Sequence, residues 1–551
     1  MSGMAGRHGV RAEAIPARDD VSSGIEGFMV PPAERLVEIL PGLERAVALL
    51  PSALHLQTDK LTGFYLKNLL YSAEGRAIID AAIPGEKRFI FLDCQHAGAA
   101  NSHGAGARID AYFGALGGVV ERLRNEFNTE IVPIRLGGDE FALIVSSDER
   151  TEALMHRLVV EIEKSRMAHV GPVSTELCAF VAERDSMRAV RNGYRRFAES
   201  AGEPFSAEGF RRYLGAEFLA GDPGSLSEAG FANYCAERGL DGVIRRATEH
   251  EGRHPGISRA IECGFLQRYV AEGLAAGMSA PAGRFSMGSV ELGRSPRWED
   301  YHLAEGSAAK RVQATKHRVH VLEIDAAQPL DRTLRVKHHE ELARDTFLAR
   351  EGAYREARRV LETPDTEPAE RAAALYRTVM LAVADPSVPG VVRGQLVGDL
   401  SSEVLLGGIA NQPLSCLRVN VHAFGVVNNS KSYAEADQML GEVVAVASAA
   451  FGPIRVVRHG GGLPVLVGRG SFGVDDLVPL REKLNQTLAR HIDPVGDGAA
   501  YARMLVEYGE RFALSSRWRE GRFVVPEIAF GTCDVALASI KVERGQPLKF
   551  E

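Results

Sequence analysis

Glu130-Ile131-Val132-Pro133-Ile134-Arg135-Leu136 is followed by Gly137-Gly138-Asp139 and then by Glu140-Phe141-Ala142-Leu143-Ile144-Val145. Two short apolar runs joined by two glycines and an aspartate have the composition of two strands and a tight hairpin turn. Upstream, Arg88-Phe89-Ile90-Phe91-Leu92-Asp93 is another short apolar run ending in an acid, a buried strand that delivers a carboxylate at its tip. Between the two, apolar residues at 109, 112, 113, 116, 119, 120 and 123 fall at helical spacing, and a further helix is expected over about 150–165. This order predicts an α/β (α+β) layer structure in which helices cover one face of a mixed sheet.

Outward from this unit, the 551 residues exceed one ordinary core, and ~100 to 200 residues per domain predicts about three or four packed units. A net charge of -7 with 25% charged residues carries no basic excess, so no nucleic-acid partner is expected. The cysteines at 94, 178, 235, 263, 416 and 533 form no CxxC pair and no zinc spacing, which fits a reducing cytoplasm. No apolar run reaches the ~20 residues that span a bilayer, so no membrane partner is expected.

Residues 1–30 read as a flexible leader, and apolar positions 36, 39, 40, 43, 47 and 50 predict an amphipathic helix that enters the first domain. That domain is drawn over 31–325, with an irregular helical insertion at about 184–282, and is followed by a helical linker over 326–384. Residues 417–467 repeat the pattern of 90–145: a strand, a helix, then two strands flanking Gly460-Gly461-Gly462. A repeat at this separation implies a duplicated domain over 385–551.

A nucleoside triphosphate with its metal calls for carboxylates on neighbouring strand ends, because Mg²⁺ takes hard oxygen ligands and keeps phosphate oxygens and waters as the rest. Asp93, Asp139 and Glu140 stand at such ends, and Gly137 and Gly138 let the backbone approach phosphates without a Cβ in the way. Spacing alone does not separate this from a plain Asp-containing β-turn.

Arg135-Leu136-Gly137-Gly138-Asp139-Glu140-Phe141 resembles the RxGGDEF signature of the diguanylate cyclase (GGDEF) family, and Asp59-Lys60-Leu61-Thr62-Gly63 resembles its DxLTG entry motif. The resemblance implies two GGDEF or palm-like mixed-sheet domains in tandem and a GTP substrate condensed to cyclic di-GMP. It also implies Mg²⁺ or Mn²⁺ held at Asp93, the adjoining Cys94 and Asp139, with Glu140 assisting the metal or the attacking hydroxyl. Asn101 and Asp110 fall at the family's spacing for the pair that reads guanine, and Arg135 and Lys316 would stabilise phosphate charge. Phe285-Ser286-Met287-Gly288 resembles a later strand of the family.

The chain also departs from the family. Asp93-Cys94-Gln95-His96-Ala97-Gly98 lacks the second aspartate, the aromatic and the phosphate-binding lysine usual there, which implies weaker substrate affinity. The family's product-feedback motif is replaced by Asn128-Thr129-Glu130-Ile131, and His96 and His103 read as surface residues. In the second copy Asn420 stands for Asp93, and Gly462 and Leu463 for Asp139 and Glu140, so no catalysis is expected there. Asn428 and Asp437 keep the guanine-pair spacing. Family members work as face-to-face pairs, which implies either a homodimer or intramolecular pairing of the two copies. A GTP or cyclic-dinucleotide receptor and a related nucleotidyl cyclase with another product remain alternatives.

Overall fold

The computed structural model describes residues 31–541 apart from 51–53, 204–205, 220–225, 253–255, 277–281, 316–327, 364, 386–387, 393–399, 409–412, 432, 459–461, 470–471, 512–517, 520–521 and 524–529. The expected leader, 1–30, lies outside the described residues. The chain is α+β, with two five-stranded mixed sheets among many helices.

The first sheet consists of β1 (Tyr65–Leu66), β2 (Lys87–Cys94), β3 (Ile131–Arg135), β4 (Glu140–Ser146) and β5 (Phe285–Leu292), in the order β1-β3-β4-β2-β5. β1 runs parallel to β3, and every other pair is antiparallel. The second consists of β6 (Val391–Val392), β7 (Pro413–Val421), β8 (Arg455–Arg458), β9 (Pro464–Gly468) and β12 (Cys533–Lys541), in the order β12-β7-β9-β8-β6. β10 (Trp518–Arg519) and β11 (Arg522–Phe523) form a separate two-stranded ribbon. Setting that ribbon aside, the two sheets have the same strand order and the same senses, with β6 parallel to β8 and the rest antiparallel.

All eight residues of β2 are buried, which is why the run reads as continuously apolar instead of alternating. Ile90 and Leu92 face a core built with Ile109, Phe113 and Leu116 of the helix Gly106–Phe127 and with Leu154 and Leu158 of the helix Thr151–His169. Phe89 and Phe91 face a second core with Ile79, Tyr301, Ala304 and Ala308 from the helices Ala73–Ala82 and Trp298–Thr315. Helices therefore cover both faces of the sheet, not the single face expected. Gly288 of β5 explains the close approach of the second layer, since a Cβ there would stand 3.0 Å from the Ala308 carbonyl oxygen.

Two segments pack away from where their position in the sequence suggests. The amphipathic stretch at 33–50 forms two helices, Ala33–Glu38 and Leu40–Ala48, broken where Pro41 starts the second. Instead of entering the first sheet's core they share one with Tyr354, Leu375, Val379, Val404 and Val457. The helical insertion likewise does not form a core of its own. Tyr194, Phe210, Ile261 and Phe265 join Leu417, Val419, Met439 and Leu484 in a single core under the second sheet. Its seam is the crossing of helices Ile257–Ala275 and Gly496–Arg511, where a Cβ on Gly498 would stand 2.6 Å from the Ala260 carbonyl oxygen. Glycine is what lets those backbones meet.

Candidate functional site

The hairpin between β3 and β4 closes with the Leu136 and Gly137 amides donating to the Glu140 carbonyl at 2.9 and 3.2 Å. The guanidinium of Arg135 then braces the turn from beneath. Nη2 donates to the Gly138 carbonyl at 2.7 Å and Nε to the Gly137 carbonyl at 3.1 Å, while Nη1 pairs with Asp59 Oδ1 at 2.8 Å. It lies over the rings of Phe113 and Phe141. Asp59 Oδ2 accepts from the Thr62 amide and hydroxyl at 2.8 and 2.7 Å, and Gly63 turns the chain at φ +75°. Burial alone would raise the Asp59 carboxyl, but Thr62 and Arg135 together hold it below its ordinary value. The two quoted motifs are thus two halves of one clasp. Arg135, expected to stabilise phosphate, is engaged by the turn and by Asp59.

Above the clasp the acids converge. Asp93 is opposite Glu140 across the β2–β4 register and opposite Ser286 across β2–β5, and the Cys94 amide donates to the Asp139 carbonyl at 2.9 Å. Burial, then the like charges of Glu305, Asp93 and Asp139, raise the Glu140 carboxyl, with Lys67 acting against them. A cavity of about 340 Å³ beside Glu140 is lined by Lys67, Glu305 and Lys310, among others. Lys67 pairs with Glu305 at 3.0 Å and Glu340 at 2.7 Å. These partners come from helices distant in sequence and carry no motif, so the sequence reading missed them.

The thiol of Cys94 does not join the acids. Side chains alternate along a strand, and Cys94 is 1% exposed in the apolar core with Ile90, Leu92 and Tyr112, on the face opposite Asp93. Among the described residues no three His, Cys, Asp or Glu side chains form a ready-made metal group. The donor set still suits a hard cation. Mg²⁺ is commonly held by one or two carboxylates, the remaining positions going to water and phosphate, and the mutual repulsion at Glu140 is what a cation relieves.

Asn101 and Asp110, in the helices Ala97–Ser102 and Gly106–Phe127, are both exposed. Gln95 is buried, with Nε2 donating to Ser286 Oγ and its amide donating to the Arg284 carbonyl at 2.6 Å. The residue found where the second aspartate was missing therefore ties β2 to β5. His103 is packed on Phe180, with ring centroids 4.9 Å apart. Lys316 lies outside the described residues; Lys310, six residues earlier in the chain and on the helix Trp298–Thr315, reaches the Glu140 cavity.

The second half repeats the clasp without the acids. Arg458, at the end of β8, pairs through Nη1 with Asp385 Oδ2 at 3.1 Å. The Asp385 amide donates to the Val391 carbonyl at 2.8 Å, as the Asp59 amide does to the Phe64 carbonyl at 2.7 Å, and Gly390 turns at φ +76°. Asp385-Pro386-Ser387-Val388-Pro389-Gly390 is thus the counterpart of the Asp59–Gly63 motif. Its spacing is one residue longer, which hides it from a motif search. The Val421 amide donates to the Gly462 carbonyl at 2.9 Å, matching Cys94 and Asp139, but Phe424 packs directly on Gly462. Asp437, expected to face a base, is held by Arg458 Nη2 at 2.9 Å, while Asn428 Oδ1 is buried without a partner among the described residues. No family model matches the chain, and a search of curated proteins finds no match.

Proposed function

We propose that the chain is a diguanylate cyclase of the GGDEF type, condensing GTP into cyclic di-GMP with release of pyrophosphate, and that its first sheet carries the chemistry. The observation behind this reading is the meeting of β2 and β4. Asp93 is opposite Glu140, Asp139 adjoins it, and burial, then crowding by Glu305, Asp93 and Asp139, raises the Glu140 carboxyl. Such crowding is unfavourable until a cation neutralises it. The mixed five-stranded sheet, with both signature motifs meeting in the Arg135 clasp, supports the same reading.

Asp93 and Asp139, with Glu140 assisting, would hold Mg²⁺ or Mn²⁺, which would supply charge stabilisation to phosphate oxygens. Asn101 and Asp110 accept from the guanine edge, which adenine cannot satisfy. Arg135 acts as a positioning residue that fixes the carbonyls of Gly137 and Gly138 and so sets where Asp139 and Glu140 stand.

Condensation joins two GTP molecules, and the second half has Phe424 against Gly462 and Asp437 tied to Arg458. One chain therefore offers one competent site, and the reaction calls for a homodimer with first sheet facing first sheet. Intramolecular pairing serves as scaffold. A GTP or cyclic-dinucleotide receptor without turnover is the second reading, favoured by the altered loop at Gln95 to Gly98, where Gln95 is tied to Ser286.

Purified protein is incubated with GTP, ATP and Mg²⁺, separately and mixed, and the products are identified by mass spectrometry, with Asp139→Ala as control. Cyclic di-GMP that disappears in the variant supports the cyclase reading. A mixed or adenine product points to a related cyclase, and GTP binding without product leaves the receptor.

A further inference from the structure

Between the helix Ser174–Ala201 of the insertion and the helix Gly496–Arg511 of the second half lies a cavity of about 350 Å³, which also reaches Gly98 in the loop after β2. Four arginines line it, Arg184, Arg188, Arg191 and Arg503, and no lining residue is acidic. Arg191 Nη2 pairs with Asp493 Oδ2 at 2.5 Å beyond the cavity wall, and Arg188 with Asp185 at 3.8 Å. Arg184 is half-buried and makes no ion pair among the described residues. Burial, followed by repulsion from Arg188 and Arg503, pushes its guanidinium below its ordinary value, with Asp185 and then Asp139 acting the other way. Arg191 Nε is a buried donor with no partner among the described residues. Its guanidinium packs against Gly496, where a Cβ would oblige the arginine to shift.

Clustered guanidinium groups in a partly enclosed space are costly unless an anion joins them, and guanidinium forks match phosphate oxygens in pairs. The cavity is too small for a nucleic-acid strand and suits a short phosphate chain. We propose that this arginine pocket, built jointly by the insertion and the second half, binds the phosphate chain of a nucleoside triphosphate whose other end reaches the first sheet. The ligand class rests on the reading given above. On this account Gly98 leaves room for the phosphates, and the basic groups that hold them come from distant parts of the chain. The second half then acts in phosphate binding through Arg503, although its own acid positions are lost.

The test is calorimetric titration of the full chain with inorganic triphosphate at low ionic strength and without divalent cation. This probe has neither base nor ribose and cannot be cyclised. Wild type is expected to bind it, and the double variant Arg184→Gln, Arg503→Gln to bind at least tenfold more weakly with an unchanged melting temperature. Should that variant not fold, Arg188→Glu, whose side chain is 61% exposed, reverses one charge without disturbing the core and is expected to weaken binding by a similar factor. Absence of binding by wild type, or affinities within twofold in the folded variants, overturns the pocket. GTP turnover with an unchanged KM in the arginine variants overturns the pocket but leaves the cyclase reading standing. Triphosphate bound through the arginines without any turnover supports the pocket and removes the cyclase.

Discussion

Phe424 packs against Gly462 so closely that a Cβ on the glycine would stand 2.5 Å from the phenylalanine Cβ. Gly462 stands where the first half has Asp139, so the second half has filled its acid position with a ring. The loss is steric as well as electrostatic. Gly462→Asp is expected to lower stability by about 1–3 kcal/mol through overpacking and to gain no Mg²⁺ binding. Chemical denaturation with and without Mg²⁺ checks both; a stable, metal-binding variant would show that the ring is no obstacle.

The clasp predicts an acid limb in stability. The Asp59 carboxyl has a folded pKa below its unfolded value of about 3.9. Its contribution is therefore complete above that pH and is lost as pH falls through the lower folded value. Asp59→Asn should flatten this limb and lower stability at neutral pH by about 1–3 kcal/mol, because Arg135 loses its charged partner. Denaturant midpoints measured between pH 2 and 7 on both proteins (roughly the range around the ordinary carboxylate value) decide it. Parallel curves would mean that the ion pair contributes nothing.

Glu140 is held among like charges in a half-buried setting. Glu140→Gln removes one of them, so the cation-free protein should melt at a higher temperature than wild type, a stability gained where function is lost. Wild type gains about 2.7 kcal/mol when Mg²⁺ exceeds its dissociation constant a hundredfold, and the variant should gain less. Equal Mg²⁺ shifts in the two proteins would remove Glu140 from the cation site.

What was readable in the sequence was local. β2, the β3–β4 hairpin and the helix after β2 follow from apolar runs and glycines next to one another in the chain, and the repeat was visible because the same spacing recurs in β7 to β9. Partners were not readable. The stripe at Leu36, Leu43 and Val47 announces a buried face, but nothing in its periodicity says that Tyr354 and Val457 cover it. The same holds for Phe210 and Phe265, which look like an autonomous insertion until they are found beneath the second sheet. Asp385 escaped because its turn is one residue longer than that of Asp59. Cys94 was expected beside the metal, and periodicity alone did not show that the strand pleat turns its thiol away from Asp93.

Asp110 and Asp437 occupy matching positions and should behave oppositely. Asp110 is exposed on the helix Gly106–Phe127, so Asp110→Ala should change stability by less than about 0.5 kcal/mol. If the carboxylate reads guanine, KM for GTP should nevertheless rise at least tenfold, about 1.4 kcal/mol of binding. The side chain of Asp437 is 17% exposed and pairs with Arg458, itself 5% exposed. Asp437→Ala removes one carboxylate partner of that buried guanidinium, and stability should fall by about 1–3 kcal/mol. GTP affinity should stay within twofold of wild type, because the aspartate serves the clasp and not a base. Urea denaturation and GTP titration on the two variants separate the cases. An Asp437→Ala variant that keeps wild-type stability but loses GTP would return the second half to nucleotide binding.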